Sequence, residues 1–245
     1  MTPPSGAASA DHGRGVIEFL ENGEMTVHGR FADSSNTTLL VSCSLDGEEL
    51  LAVYKPARGE RPLWDFPSGL HRREVAAYAL SEALGWGLVP ETIERHEAPF
   101  GTGSVQRLVP EDGESHYFTL KDEPRWRTAL LTMAAFDVVA NNADRKSGHV
   151  LLAEDRLWGI DHGLCFHCDP KLRTVIWDFG GEAVPKSVRE DLEAFVAAGL
   201  PSELCALLDD EEQEAVMGRA ARLVKRGKYP RPADDDWRPY PWPLI

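Results

Sequence analysis

Two regimes of hydrophobic patterning divide the chain. Between about Val16 and Val109 the apolar stretches are short. Segments 24–27, 38–42 and 50–54 are β-branched or alternate at period two, and 104–109 repeats the pattern before Pro110 ends it. These read as strands. One helix interrupts them, capped by Ser68, running to Leu84 and stopped by Gly85. From Glu123 the period lengthens: Trp126, Leu130, Ala134 and Val138 recur every four residues up to Asn141, and Pro124 suits a first helical turn. A short hairpin follows, then an irregular stretch over 162–185, then helices over 187–198 and 202–226. Strands first and helices afterwards, joined by Gln106–Pro110, predict an α+β bilobal arrangement with a ligand cleft. The β-rich N-lobe covers residues 15–110 and the mainly helical C-lobe 111–229. The aperiodic residues 1–14 are expected to be disordered. The Pro- and Trp-rich tail 230–245 is expected to be non-helical, with Trp237, Tyr240 and Trp242 packed on the surface.

Charge and composition narrow the partners. With 26 Lys and Arg against 40 Asp and Glu, the net charge of −14 repels nucleic acid and anionic bilayers. No apolar run reaches the length of a membrane span and the N-terminus lacks signal-peptide order, so a cytoplasmic protein without membrane insertion is expected. Cys43, Cys165, Cys168 and Cys205 are too unevenly spaced for a disulfide framework and read as reduced thiols. Cys165 and Cys168 lie near His162 and His167, but the second ligand pair of a structural zinc site is missing.

The densest chemistry lies between Asp144 and Asp161. A hairpin turning at Glu154-Asp155-Arg156 pairs residues whose numbers sum to 310, which sets His149 opposite Asp161 and leaves Asp144 in the preceding loop. Phosphoryl transfer needs such a set: one group to position an acceptor hydroxyl and others to hold a divalent ion. Asp144 is the candidate base and Lys146 the cation for the moving phosphoryl group; His149 and Asp161 are the candidate metal ligands. Asp137, on the otherwise apolar helix, is expected to brace the loop through backbone groups or Arg145, and Asn141 and Asn142 to shape the helix exit.

Upstream, Lys55 ends an apolar strand and Glu74 follows 19 residues later on the predicted helix, where it can pair with the lysine. The 29–36 connection carries Ser34, Ser35 and Asn36, small polar residues able to face phosphates. Leu108 and Val109, in the lobe connector, offer backbone groups to an adenine edge. Asp178-Phe179-Gly180 spells a kinase metal tripeptide but lies 34 residues after Asp144, too far for the hairpin, so it is assigned to a substrate-side loop.

Together these residues resemble the protein-kinase-like superfamily, closest to its bacterial phosphatidylinositol 3-/4-kinase-like and HipA-like branch. That branch reads Asp-Arg-His-x-x-Asn in its catalytic loop, against Asp144-Arg145-Lys146 here, and Ile160-Asp161-His162-Gly163 stands for its metal motif. The resemblance implies a kinase-like fold, ATP with Mg²⁺ or Mn²⁺, and transfer of the γ-phosphoryl group to a protein, including the chain itself, or to a small hydroxylated molecule. Lys146 replaces the family's His, and His149 replaces its metal-binding Asn. Imidazole suits Mn²⁺ better than Mg²⁺, which keeps a pseudokinase with little turnover as the alternative.

Overall fold

The computed structural model describes residues 15–32, 34, 36–232 and 238–244. The predicted Ser35, Trp237 and N-terminal segment 1–14 lie outside them. The chain divides into two compact units, Met1–Val75 with Pro90–Leu108, and Ala76–Val89 with Val109–Ile245. The architecture is α+β, as the patterning predicts.

The first unit is built on a five-stranded antiparallel sheet. Its strands are β1 (Glu24–Arg30), β2 (Leu39–Leu45), β3 (Glu48–Pro56), β4 (Thr92–Arg95) and β5 (Gly103–Arg107), in spatial order β1-β2-β3-β5-β4. An Asp46-Gly47 turn with φ of 49° and 86° makes the β2–β3 hairpin, because two left-handed residues match the strand twist. Helix α1 (Val16–Asn22) packs Phe19 and Leu20 against Val41, Cys43, Ala52, Tyr54 and Val105. Three expectations are revised here. Helix α1 and strand β4 are too short to impose a period on the sequence. Strand β1 runs through Gly29 to Arg30 past a bulge after Val27, shortening the polar connection. The strand at 104–109 pairs only to Arg107, although Leu108 N–H still reaches Leu51 O at 3.0 Å.

Helix α2 (Leu70–Ala83) begins after Gly69, at φ 92°, rather than at Ser68. The Glu60 carboxylate, from a distant loop, accepts the N–H groups of Gly69 (2.9 Å) and His71 (2.8 Å), the role expected of Ser68. Gly85, at φ 67°, ends the helix as expected.

The second unit holds α3 (Tyr117–Leu120), α4 (Arg127–Ala140), the hairpin β6 (Val150–Ala153) and β7 (Arg156–Gly159), α5 (Lys186–Ala198), α6 (Ser202–Cys205) and α7 (Asp210–Arg226). Helix α4 buries Leu130, Met133, Phe136 and Val139, and its apolar faces carry the core. Each such side chain contributes about 1.5–3 kcal/mol by leaving water. Asn141 turns the chain out of α4 in the left-handed conformation, φ 53°. The helix expected over 202–226 is split: Asp209 caps α7 by accepting Glu212 N–H at 2.8 Å, with Glu212 returning the bond. In the tail, Pro239 O accepts Thr174 N–H and Trp177 Nε1, and Leu244 O accepts Ser147 N–H. Backbone carbonyls anchor it, while Trp242 is 88% exposed. No described helix is long and apolar enough to cross a membrane.

Candidate functional site

In the first unit, β3 carries Lys55 to its end, and α2 presents Glu74 from its second turn. The two side chains form the expected ion pair, with Glu74 buried. This pairing fixes a long, flexible ammonium whose free rotation would otherwise cost entropy to restrain. Nearby, Asn36 Oδ1 accepts Arg61 N–H at 2.9 Å, so its side chain ties down the 31–38 connection. Burial would raise the Glu60 carboxyl, but hydrogen bonds from the His71 ring and from the backbone of residues 69–71 hold it at about 2.

In the second unit, the loop after α4 is laced to the 162–175 segment by backbone bonds. Ala143 N–H reaches Leu164 O, Arg173 N–H reaches Asn142 O, and Arg145 exchanges bonds with Arg173 and Val175. Asn142 Oδ1 accepts Asp144 N–H at 2.9 Å. The loop is therefore fixed from both sides, and Asp144 with it. Lys146 Nζ sits 3.2 Å from Asp144 Oδ2. Burial raises the Asp144 carboxyl to about 6; Asp161 adds to this, and Lys146 opposes it. A carboxylate titrating near neutrality can take a proton and lose it again.

The hairpin register differs from expectation by one residue. Val150 pairs with Gly159 and Ala153 with Arg156, so paired numbers sum to 309. The turn has two residues, Glu154 and Asp155, both left-handed at φ 55° and 53°. A one-residue slip inside a strand would turn Asp161 to the opposite face. It does not, because β7 ends at Gly159 and Asp161 itself is left-handed, φ 58°. That twist returns its carboxylate to His149, whose Nε2 lies 3.4 Å from Asp161 Oδ2. The two candidate metal ligands thus meet by a route the sequence does not reveal.

Arg145 holds this geometry in place. Fully buried, it donates to Asp137, to His149 O (3.0 Å) and to Ile160 O (3.1 Å), the carbonyls at and beside both candidate ligands. Its Nη2 also lies 2.8 Å from His162 Nε2. Arginine only donates, so that ring nitrogen is the acceptor and the proton belongs on Nδ1. A Cβ on Gly159 would lie 3.3 Å from Arg145 Nη2 and 3.4 Å from His162 Nε2, so glycine gives the pair room. Asp137 braces the loop as expected. His162 and Thr174 also engage the Asp137–Arg145 pair; the sequence marks His162 only as a member of the metal motif and a neighbour of the cysteines, and nothing local marks Thr174.

The donors suit a divalent ion in part. His149 and Asp161 offer one nitrogen and one oxygen, a set that favours Mn²⁺ over Mg²⁺. Among the described residues the only group of three His, Cys, Asp or Glu ligand atoms within 4.8 Å of one another is His167, Cys168 and Asp169. An ion at His149 and Asp161 would therefore complete its shell with water or phosphate oxygens. Cys165 is buried and outside that trio. Asp178 accepts the Tyr117 hydroxyl at 2.7 Å and Lys121 at 3.1 Å. Leu108 spends its N–H on the sheet, and Val109 packs with Leu151, Ala153 and Trp158.

No protein-family model matches the chain. Solved structures with the same fold include hydra Fam20 with sugar, at 14% identity and TM-score 0.60, covering 86% of each chain. The Golgi casein kinase with Mn/ADP bound aligns at 14% identity and TM-score 0.55, over 85% of this chain and 74% of that one. The Helicobacter pylori proinflammatory kinase CtkA aligns at 10% identity and TM-score 0.52, over 86% and 94%. The fold is protein-kinase-like. A Mycobacterium tuberculosis protein, Rv2133c, is 37% identical over 264 aligned residues, which cover 92% of this chain and 94% of that one. The chain therefore belongs to the family of Mycobacterium tuberculosis Rv2133c.

Proposed function

We propose that the protein is an ATP-dependent phosphotransferase that moves the γ-phosphoryl group to a hydroxyl of a protein or a small metabolite. The observation that carries this reading is Asp144, a partly buried carboxylate raised to about 6, with an ammonium 3.2 Å away and the His149–Asp161 pair on the adjoining hairpin. Asp144 would orient the acceptor hydroxyl and take its proton as the bond to phosphorus forms. Lys146 would meet charge on the phosphoryl oxygens, and Lys55, held by Glu74, would engage the nucleotide phosphates. Ser34, Ser35 and Asn36 are proposed to approach those phosphates, and Leu108 and Val109 the base. His149 and Asp161 would hold a Mn²⁺ or Mg²⁺ ion, which when bound supplies neutralisation of phosphate charge. A kinase of this fold has been solved with Mn/ADP, which supports the nucleotide and metal assignment. The net charge of −14 argues against lipid surfaces and nucleic acid as acceptors.

The test is incubation with γ-labelled and α-labelled ATP and either Mn²⁺ or Mg²⁺. Label transfer from the γ position that Asp144→Asn abolishes supports the reading; wild type equal to Asp144→Asn rejects catalysis. One observation favours a second reading. An imidazole stands where the bacterial branch has a metal-binding Asn, as in a nucleotide-binding module with little turnover. Thermal stabilisation by ATP with no transfer or hydrolysis would select it; at 100 times Kd the stabilisation is about 2.7 kcal/mol.

A further inference from the structure

The C-terminal half of α7 gathers positive charge in a chain that is strongly acidic overall. Arg219, Arg222 and Arg226 recur at i, i+3 and i+7, so they share one helical face, and Lys228 follows just past the end. All four line a cavity of about 620 Å³ within the second unit, where two carboxylates, Glu211 and Glu214, also reach the wall. Arg219 is the most buried of the four cations. Its Nε donates to Val139 O at 2.8 Å and its Nη1 to His167 O at 3.2 Å, while Nη2 is buried with no hydrogen-bond partner. Burial lowers the Arg219 guanidinium to about 10, and the Arg222 cation adds to that strain, although Cys165, Cys168 and Glu212 counter it. A cation partly withdrawn from water, with a second guanidinium beside it, is costly unless an anion approaches.

We propose that this cavity is an anion site for a small molecule bearing a phosphate group. Guanidinium forks match phosphate oxygens in pairs, and the volume falls in the range of small-ligand sites. A compact anion feels the local cluster, whereas an extended polyanion also meets the field of the whole acidic chain. The occupant would engage the same guanidinium that caps the end of α4. Two residues beyond Val139, Asn141 bonds His167 O and Asp169 O, and Asn142 next to it holds Asp144 N–H. This site stands apart from the proposed catalytic one and does not depend on it.

Pyrophosphate and glycerol phosphate, each against KCl at matched ionic strength, are titrated into the full chain by calorimetry. The variant Arg222→Gln/Arg226→Gln alters exposed positions only, so it keeps the fold. A Lys55→Met variant removes binding at the proposed nucleotide site. In parallel, alkylation of the exposed Cys168, which lines the cavity, by neutral iodoacetamide is followed by peptide mass spectrometry. Saturable binding should persist in Lys55→Met, weaken roughly tenfold or more in the double variant, and slow Cys168 alkylation only where it occurs. Equal effects of KCl, equal affinity in the double variant, or loss of binding in Lys55→Met would overturn the assignment. Much tighter binding of an acidic phosphopeptide than of either small anion would overturn the small-molecule class.

Discussion

Substituting Asp137 by Asn removes the charge that compensates Arg145 while leaving the shape of the site nearly unchanged. Both residues are fully buried. Asp137 Oδ1 accepts from Arg145 Nη2 (2.9 Å), Arg145 Nε (3.1 Å) and Asn142 Nδ2 (3.0 Å), and Oδ2 accepts from Thr174 Oγ1 (3.2 Å). A guanidinium left in that place has no water and no counter-ion, and breaking a buried pair on one side costs about 3–5 kcal/mol. Domain stabilities are about 5–15 kcal/mol, so the loss is a large fraction of the whole. Urea unfolding at pH 7, followed by tryptophan fluorescence, should show it: with a slope of about 2–3 kcal/mol/M, the midpoint falls by about 1–2 M. Arg145→Met should destabilise comparably, since His149 O and Ile160 O each lose a donor. Both changes together should cost less than their sum, because the second removes the charge that the first exposed. A control, Glu190→Gln, breaks the exposed helix pair with Lys186 and should stay within about 0.5 kcal/mol. A loss under about 1 kcal/mol for Asp137→Asn, or strict additivity, would refute the idea that this pair organises the loop.

Three further outcomes follow from other sites. Glu60 is depressed to about 2 in the fold, so its contribution is full above the unfolded value near 4.5 and fades as pH falls toward 2; Glu60→Gln should lose about 2 kcal/mol at pH 7, discounted for partial solvation, and nothing near pH 2 in denaturation curves. Asp144 has the opposite sign. Its folded value of about 6 exceeds the unfolded 3.8, so stability is lost as pH rises from about 3.8 to 6 and the loss is complete above 6; Asp144→Asn should stabilise by about 2–3 kcal/mol at pH 8, with the gain vanishing below pH 4. An unchanged or lower melting temperature at pH 8 would contradict the burial assigned to that carboxylate. Gly159→Ala should cost about 1–3 kcal/mol, because both atoms its Cβ would crowd belong to the fixed Arg145–His162 pair, and wild-type stability in the variant would show that the pair can give way.

By itself the sequence determined whatever short-range periodicity and spacing encode. Helix α4 was legible because four apolar residues at helical spacing must face one core, and Asp137 stood out as the charge in that pattern. The α+β order and the proximity of Lys55 to Glu74 and of His149 to Asp161 were legible too, the last despite a register one residue away. Glu154-Asp155 makes a two-residue turn without the Gly that usually announces one, so the pairing is not legible from the residues, and the left-handed Asp161 restores the contact. What remained hidden depends on groups far apart in the chain. Glu60 rather than Ser68 caps α2, Leu244 O receives Ser147 N–H, and Arg219 reaches across to Val139 O. Only the tertiary structure decided these, because a hydrogen bond between residues from nine to nearly a hundred positions apart leaves no period in either segment. The same holds for the raised carboxyl of Asp144: its acidity is set by how much water the folded loop excludes, a quantity that no stretch of residues carries alone.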